Sequence, residues 1–575
     1  MFRTRSALAI AALCLGLTPG VAPAGNAGLY LAGRQAGMEN DHAGAAEYFT
    51  RALALDARNP DLMQMALTAQ VSLGEFDQAM QIVRRMDAAG IDSDLARLVK
   101  LTDWMSRDDY DATVKAFGDG FAVSDILNGF LDELVLAWAT LGAGDTEGAL
   151  AKFDTLGQGT ALRNLALYQK ALALAMLGRD AEARVIFSGD AEGPLNLSTR
   201  GIRAYAEVLS RLGETDAAMQ LLTEAYGPVL PPQVADLAAA LERGEAVPFD
   251  IATDAKGGMG EAFFTLGQVL YGQAGSGLSL VYAQVARTLN PGNADALLLA
   301  ATILDAQGNA ELATDLFDKV PRDHPAFLQA EFGRANALRY SDRLDAAIEV
   351  LNQLGKTYPD LMEIQVSLGD ALSSAERWDA ARAAYDRAVA LIGDGSPDDW
   401  QIFYARGITL ERLGEWPAAE ADFRHALDLS PDEPRVLNYL GYSMVEKRIN
   451  LDEALGMIQK AAAERPEDGY IVDSLGWVLF RLGRYAEAVE PMEQAAALMA
   501  IDPVINDHLG DVYWAVGRKL EAQFQWRRAL SFVDYGESNE EVDPNRIRRK
   551  LELGLDQVLK DEGAQPLIRN DAGGN

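Results

Sequence analysis

A stretch near the C-terminus of this chain repeats itself at a spacing of 34 residues. Asp473 to Val489 reads DSLGWVLFRLGRYAEAV, and Asp507 to Phe524 carries DHLGDVYWAVGRKLEAQF. Upstream, Asn438 opens NYLGYSMVEKRINLDEAL, one residue longer before its Ala454. A unit this short cannot bury its apolar face alone, so neighbouring copies must stack and share one continuous core. That requirement overrides a domain count from length, which for 575 residues would be about four.

Leu-Gly early in the unit, Gly or Arg midway, then Ala and a large apolar residue is the tetratricopeptide pattern. The expected fold is therefore all-α: a superhelix, or α-solenoid, of about 13 helix hairpins ending in a capping helix. Gly476 and Ala488 are placed where the two helices of a hairpin cross, because only small side chains allow close approach. Leu475, Leu479 and Met492 fill the layers, and Pro291, Pro359, Pro431 and Pro466 fall where the second helix ends. Gly407, Leu410, Gly414, Trp416, Ala419, Phe423, Ala426 and Pro431 repeat the pattern closely, and the units continue upstream to about residue 260. Degenerate copies centred on Gly33, Gly74, Gly178 and Gly213 occupy the N-terminal half. The predicted organisation is a leader over 1–24, a degenerate array over 25–227 and a Pro/Gly connector and hinge over 228–258. A regular array over 259–533 follows, and 534–575 holds an acidic loop, a capping helix from Arg546 to Lys560 and a frayed tail.

Composition narrows the function. The 51 Lys and Arg stand against 85 Asp and Glu, a net charge of −34 that disfavours nucleic acid, whose phosphates need clustered cations. A single cysteine excludes an intramolecular disulfide and any multi-thiolate metal site. It lies in an export segment: Arg3 and Arg5 precede the apolar run Ala7 to Leu17, and Ala22-Pro23-Ala24 has the small-x-small spacing of a cleavage site. The mature chain is expected in the periplasm of a Gram-negative bacterium. Lipidation at Cys14 is the weaker alternative, because Leu13 stands where lipoprotein processing wants a small residue.

No catalytic constellation is legible. His42, His324, His425 and His508 are not at ligand spacing, no Gly-rich stretch ends in Gly-Lys-Ser, and the acids are spread as solvated charge, so neither enzyme activity, cofactor nor metal is expected. A groove is expected instead, lined by the first helix of each hairpin at positions three to four residues apart. Asn438, Asp473 and Asp507 form one row, with Tyr404 extending it. Tyr442, Trp477 and Asp511 form the second, and Val445, Phe480 and Trp514 the third. Amides and carboxylates suit a peptide's N–H groups and basic side chains, and the rings give flat apolar contact. With no Lys or Arg on the first two rows, the expected ligands are neutral or basic protein segments.

DWQIFYARGITLERLGEW (Asp399 to Trp416), LNYLGYSMVEKRINLDEAL (Leu437 to Leu455), DGYIVDSLGWVLFRLGRY (Asp468 to Tyr485) and INDHLGDVYWAVGR (Ile505 to Arg518) resemble bacterial envelope tetratricopeptide proteins beyond the generic pattern. That group includes exported lipoproteins that act as adaptors for C-terminal-processing proteases and deliver peptidoglycan hydrolases to them. The resemblance implies a similar adaptor or scaffold role, with an envelope protease and its substrates as partners. The alternative is a scaffold for secretion or assembly of an envelope polysaccharide, where such repeats also recur.

Overall fold

A computed structural model describes residues 24–123, 129–228, 230–271, 276–392, 396–533 and 542–567. The expected leader, apart from its last residue, and the acidic loop over 534–541 lie outside these residues. Every described element is helical. Two compact units are formed, 1–350 and 351–575.

In the first unit six hairpins come in succession: α1 (Ala24–Met38) with α2 (His42–Leu55), α3 (Pro60–Leu73) with α4 (Phe76–Ala88), and α5 (Asp94–Ser106) with α6 (Tyr110–Gly118). Then follow α7 (Phe130–Gly142) with α8 (Thr146–Thr155), α9 (Arg163–Met176) with α10 (Asp180–Phe187), and α11 (Thr199–Arg211) with α12 (Thr215–Tyr226). A lone helix, α13 (Pro232–Glu242), precedes the hairpins α14 (Ala255–Tyr271) with α15 (Ser276–Leu289) and α16 (Ala294–Ala306) with α17 (Ala310–Phe317); α18 (Phe327–Tyr340) follows, and the division between the units falls within the next helix, α19 (Leu344–Thr357). The second unit holds α20 (Met362–Ser374) with α21 (Trp378–Leu391), α22 (Trp400–Arg412) with α23 (Trp416–Leu429), and α24 (Pro434–Lys447) with α25 (Leu451–Glu464). It ends with α26 (Gly469–Arg481) and α27 (Tyr485–Leu498), α28 (Pro503–Ala515) and α29 (Lys519–Val533), and the short pair α30 (Pro544–Leu553) and α31 (Leu555–Asp561).

Local chemistry explains the boundaries. Asp41, Asp145, Asn293 and Asp502 accept backbone N–H groups at helix starts, satisfying donors that have no partner inside the helix. The turn between the helices of a hairpin needs a left-handed residue, and Gly74, Gly213, Gly414, Gly483 and Gly517 supply it. Where helices cross, a Cβ on Gly407 would lie 2.6 Å from the Phe423 ring, and one on Gly476 would strike Met492. The small residues of the repeat are therefore steric requirements.

Two features depart from the sequence expectation. Residues 228–258, read as a hinge, carry α13 and run into α14, which is built into the core of the first unit; the division between units falls after Val350. Helices α14 and α15 pack on the first helices of the early hairpins, α15 on α3 and α5 and α14 on α7 and α9, so they occupy the inner wall of that array. Gly258 allows the approach, since a Cβ there would collide with the Trp138 indole. Gln284 donates to the Ser72 carbonyl at 2.6 Å, and Glu261 accepts from Arg200 at 2.7 Å and from Tyr168 at 3.3 Å. Asn309 also donates to the Asn40 carbonyl at 2.8 Å, joining the eighth hairpin to the first turn of the unit. The single capping helix is in fact two, broken at Gly554 (φ +80°), whose missing Cβ makes room for the Trp514 indole. No helix among the described residues is long and apolar enough to cross a membrane.

Candidate functional site

In the second unit first helices of neighbouring hairpins touch, α20 with α22, α24 with α26 and α26 with α28, and line an inner wall. The predicted rows lie on it, but their side chains have different fates. Trp477 and Phe480 are half-buried and stack nearly parallel, with ring centroids 4.9 Å apart at 9°. His508 lies on the other face of Trp477 at 3.9 Å and 13°. The indole N–H of Trp477 donates to Glu446 at 3.0 Å, which fixes the ring on the wall. Asp473 is buried beneath it, 3.0 Å from Nδ1 of His508. Burial alone would lower the His508 pKa, yet the carboxylates of Asp473, Asp507 and Asp511 outweigh it and raise the value above the ordinary range.

Three predicted residues are not free to meet a partner. Asp507 and Asp511 both accept from Lys550 of α30, at 2.7 and 2.8 Å, and Asp511 accepts from the Trp526 indole at 2.9 Å as well. Trp514 donates to Asp556 of α31 at 3.0 Å and lies 5.3 Å from the Trp526 ring. These side chains serve the cap. Tyr404 belongs to an aromatic cluster with Trp400, Phe423 and Tyr439, at 5.9 to 6.1 Å between centroids, rather than to an open row. Asn438 is half-buried with its amide oxygen enclosed and unpartnered, and Tyr442 is half-buried on the same helix.

What remains is a cleft of about 350 Å³ between α24, α26 and the cap, in the size range of ligand pockets. Of the predicted residues it brings together Val445, Trp477, Phe480 and Asp511; Tyr404, Asn438, Tyr442, Asp473, Asp507 and Trp514 do not line it. Residues missed by the register reading complete it: Arg448, Leu451, Arg481, Tyr485, Arg546 and the segment Ala564–Leu567. Arg481 and Tyr485 follow Trp477 at four and eight residues, a helical spacing that could have flagged them. The three arginines correct the expected charge. Lys550 and Arg546 offset the acids of the last hairpin, so the wall is not the acidic surface that its own repeats predict.

Comparison with known proteins agrees with the repeat reading. Three family models described as tetratricopeptide repeats match residues 38–101, residues 368–438, and residues 332–399 together with 447–503, and these segments are tetratricopeptide repeats. Over 163 residues, 28 % of this chain, the sequence is 28 % identical to a TPR repeat-containing protein of Pseudomonas aeruginosa, and the chain spans 27 % of that relative's length. Among solved structures, similar chains occur in the APC/C hetero-tetramer Cut9–Hcn1 (15 % identity, TM-score 0.37, 92 % of this chain and 96 % of that one) and in yeast Tom70 (14 %, 0.36, 95 % and 97 %).

Proposed function

We propose that this protein is a non-catalytic scaffold or adaptor that holds segments of partner polypeptides on the inner wall of its second unit. The observation that carries this reading is the Trp477–Phe480 stack, half-exposed beside the cleft while the structural slots of the same hairpins are filled by Leu440, Met444, Leu479 and Leu509. Large rings held in place beside a cleft give much contact area at little cost in conformational entropy, which suits protein recognition. In the first unit α14 and α15 occupy the inner wall of the early hairpins. The export segment of the sequence supports a periplasmic setting, and the resemblance to envelope adaptors supports an envelope protease and its substrates as partners.

Affinity capture from a periplasmic extract with the mature chain, compared with Trp477→Ala and Phe480→Ala, tests the reading. Loss of captured proteins with an unchanged helical circular-dichroism spectrum is expected. Identical capture by wild type and both variants would refute it.

A further inference from the structure

We infer that the cleft between α24, α26 and the cap selects linear segments carrying an apolar side chain beside a carboxylate. This rests on the second unit being a segment-binding wall and adds which segments it takes. Two acids line the cleft, and both are engaged: Asp511 by Lys550 and the Trp526 indole, and Glu562 by Arg546 at 3.1 Å. Arg481 is shared with Glu446 at 3.1 Å. Arg448 is exposed on the rim and has no hydrogen-bond or ion-pair partner among the described residues. Among the described residues the one uncommitted charge of the cleft is therefore positive, in a chain whose net charge is −34. Its complement is a carboxylate, which a guanidinium binds with charge-assisted and often bidentate hydrogen bonds. The Trp477 and Phe480 rings supply the apolar seat beside it.

The backbone at Arg448 is one that glycine adopts without strain. It stands at the left-handed turn between α24 and α25, with φ 57° and ψ 41°, where the hairpins before and after use Gly414 and Gly483. A side chain is disfavoured there, as at Asn40, Asp108, Asp342 and Glu376 in the corresponding turns of other hairpins, so glycine is the less strained residue at this position.

Fluorescein-labelled nonapeptides with a central Phe, flanked by Glu, Gln or Lys, test the inference by anisotropy with the full chain. The Glu peptide is expected to bind about tenfold more tightly than the Gln peptide, and the Lys peptide more weakly still. Arg448→Gly should erase the preference while holding or raising the melting temperature, because glycine relieves the left-handed strain. Arg448→Glu should reverse it in favour of the Lys peptide. Equal affinity for the three peptides, a preference that survives Arg448→Gly, or no binding of any peptide would overturn the inference. The broader reading fails separately, if Trp477→Ala and Phe480→Ala both leave partner capture unchanged.

Discussion

The Lys550 ammonium, 0 % exposed, sits 2.7 Å from a carboxylate oxygen of Asp511 and 2.7 Å from one of Asp507. A helix outside the repeats thus supplies the counter-charge for the inner wall of the last one. A lone buried carboxylate is far costlier than a paired one. Lys550→Met should therefore destabilise the second unit by about 3–5 kcal/mol. Equilibrium denaturation followed by tryptophan emission measures this, since Trp514 and Trp526 report on the cap. A loss under about 1 kcal/mol would mean that the cap is not held by this pair.

The first unit contains a comparable device. Arg200 bridges Glu261 of α14 and Asp295 of α16, both at 2.7 Å, with Glu261 only 1 % exposed. Arg200→Met should cost about 3–5 kcal/mol, and adding Glu261→Met should recover much of it, because the penalty comes from the unpaired charge. Hydrogen exchange across α14 is the readout. If the double variant were less stable than the single, packing rather than charge would hold α14 in place.

His508 makes the second unit pH-dependent. Its pKa is raised in the folded state, so protonation favours the native form. The contribution is complete below about pH 6.5, the value of the unfolded imidazole, and is lost as pH rises through the folded value. The melting-temperature difference between wild type and His508→Gln should be constant below about pH 6 and shrink as pH rises above about 6.5. A difference that does not change with pH would contradict the pairing with Asp473.

Ala488 lies fully buried in α27, the helix crossed by α26 at Gly476. Ala488→Phe should lower stability by about 1–3 kcal/mol through overpacking. An unchanged melting transition would show that the helices cross elsewhere.

Much of the fold was legible because a repeat encodes contacts between near neighbours. The small residues Gly407 and Gly476, the turn residues Gly414 and Gly483 and the caps Asp468 and Asp502 each act within one hairpin, where spacing along the chain equals position in space. Trp477 and Phe480 were found in this way, three residues apart on one helix. The same register places Asp507, Asp511 and Trp514 beside them.

Their fate depended on residues about forty positions downstream, since Lys550 and Asp556 reach them only through the docking of α30 and α31. Residues 228–258 likewise look like a break, yet Ala238 and Leu241 of α13 pack with α11 and α12, and Phe249, Ile251 and Ala252 join the core in which α14 and α15 are seated. Periodicity by itself determined the helices, their pairing and the small residues at their crossings, because those interactions are local. Tertiary structure decided which inner wall is filled, which acids are neutralised and where an arginine stands unpaired, because burial and long-range charge pairing depend on what arrives from elsewhere in the chain.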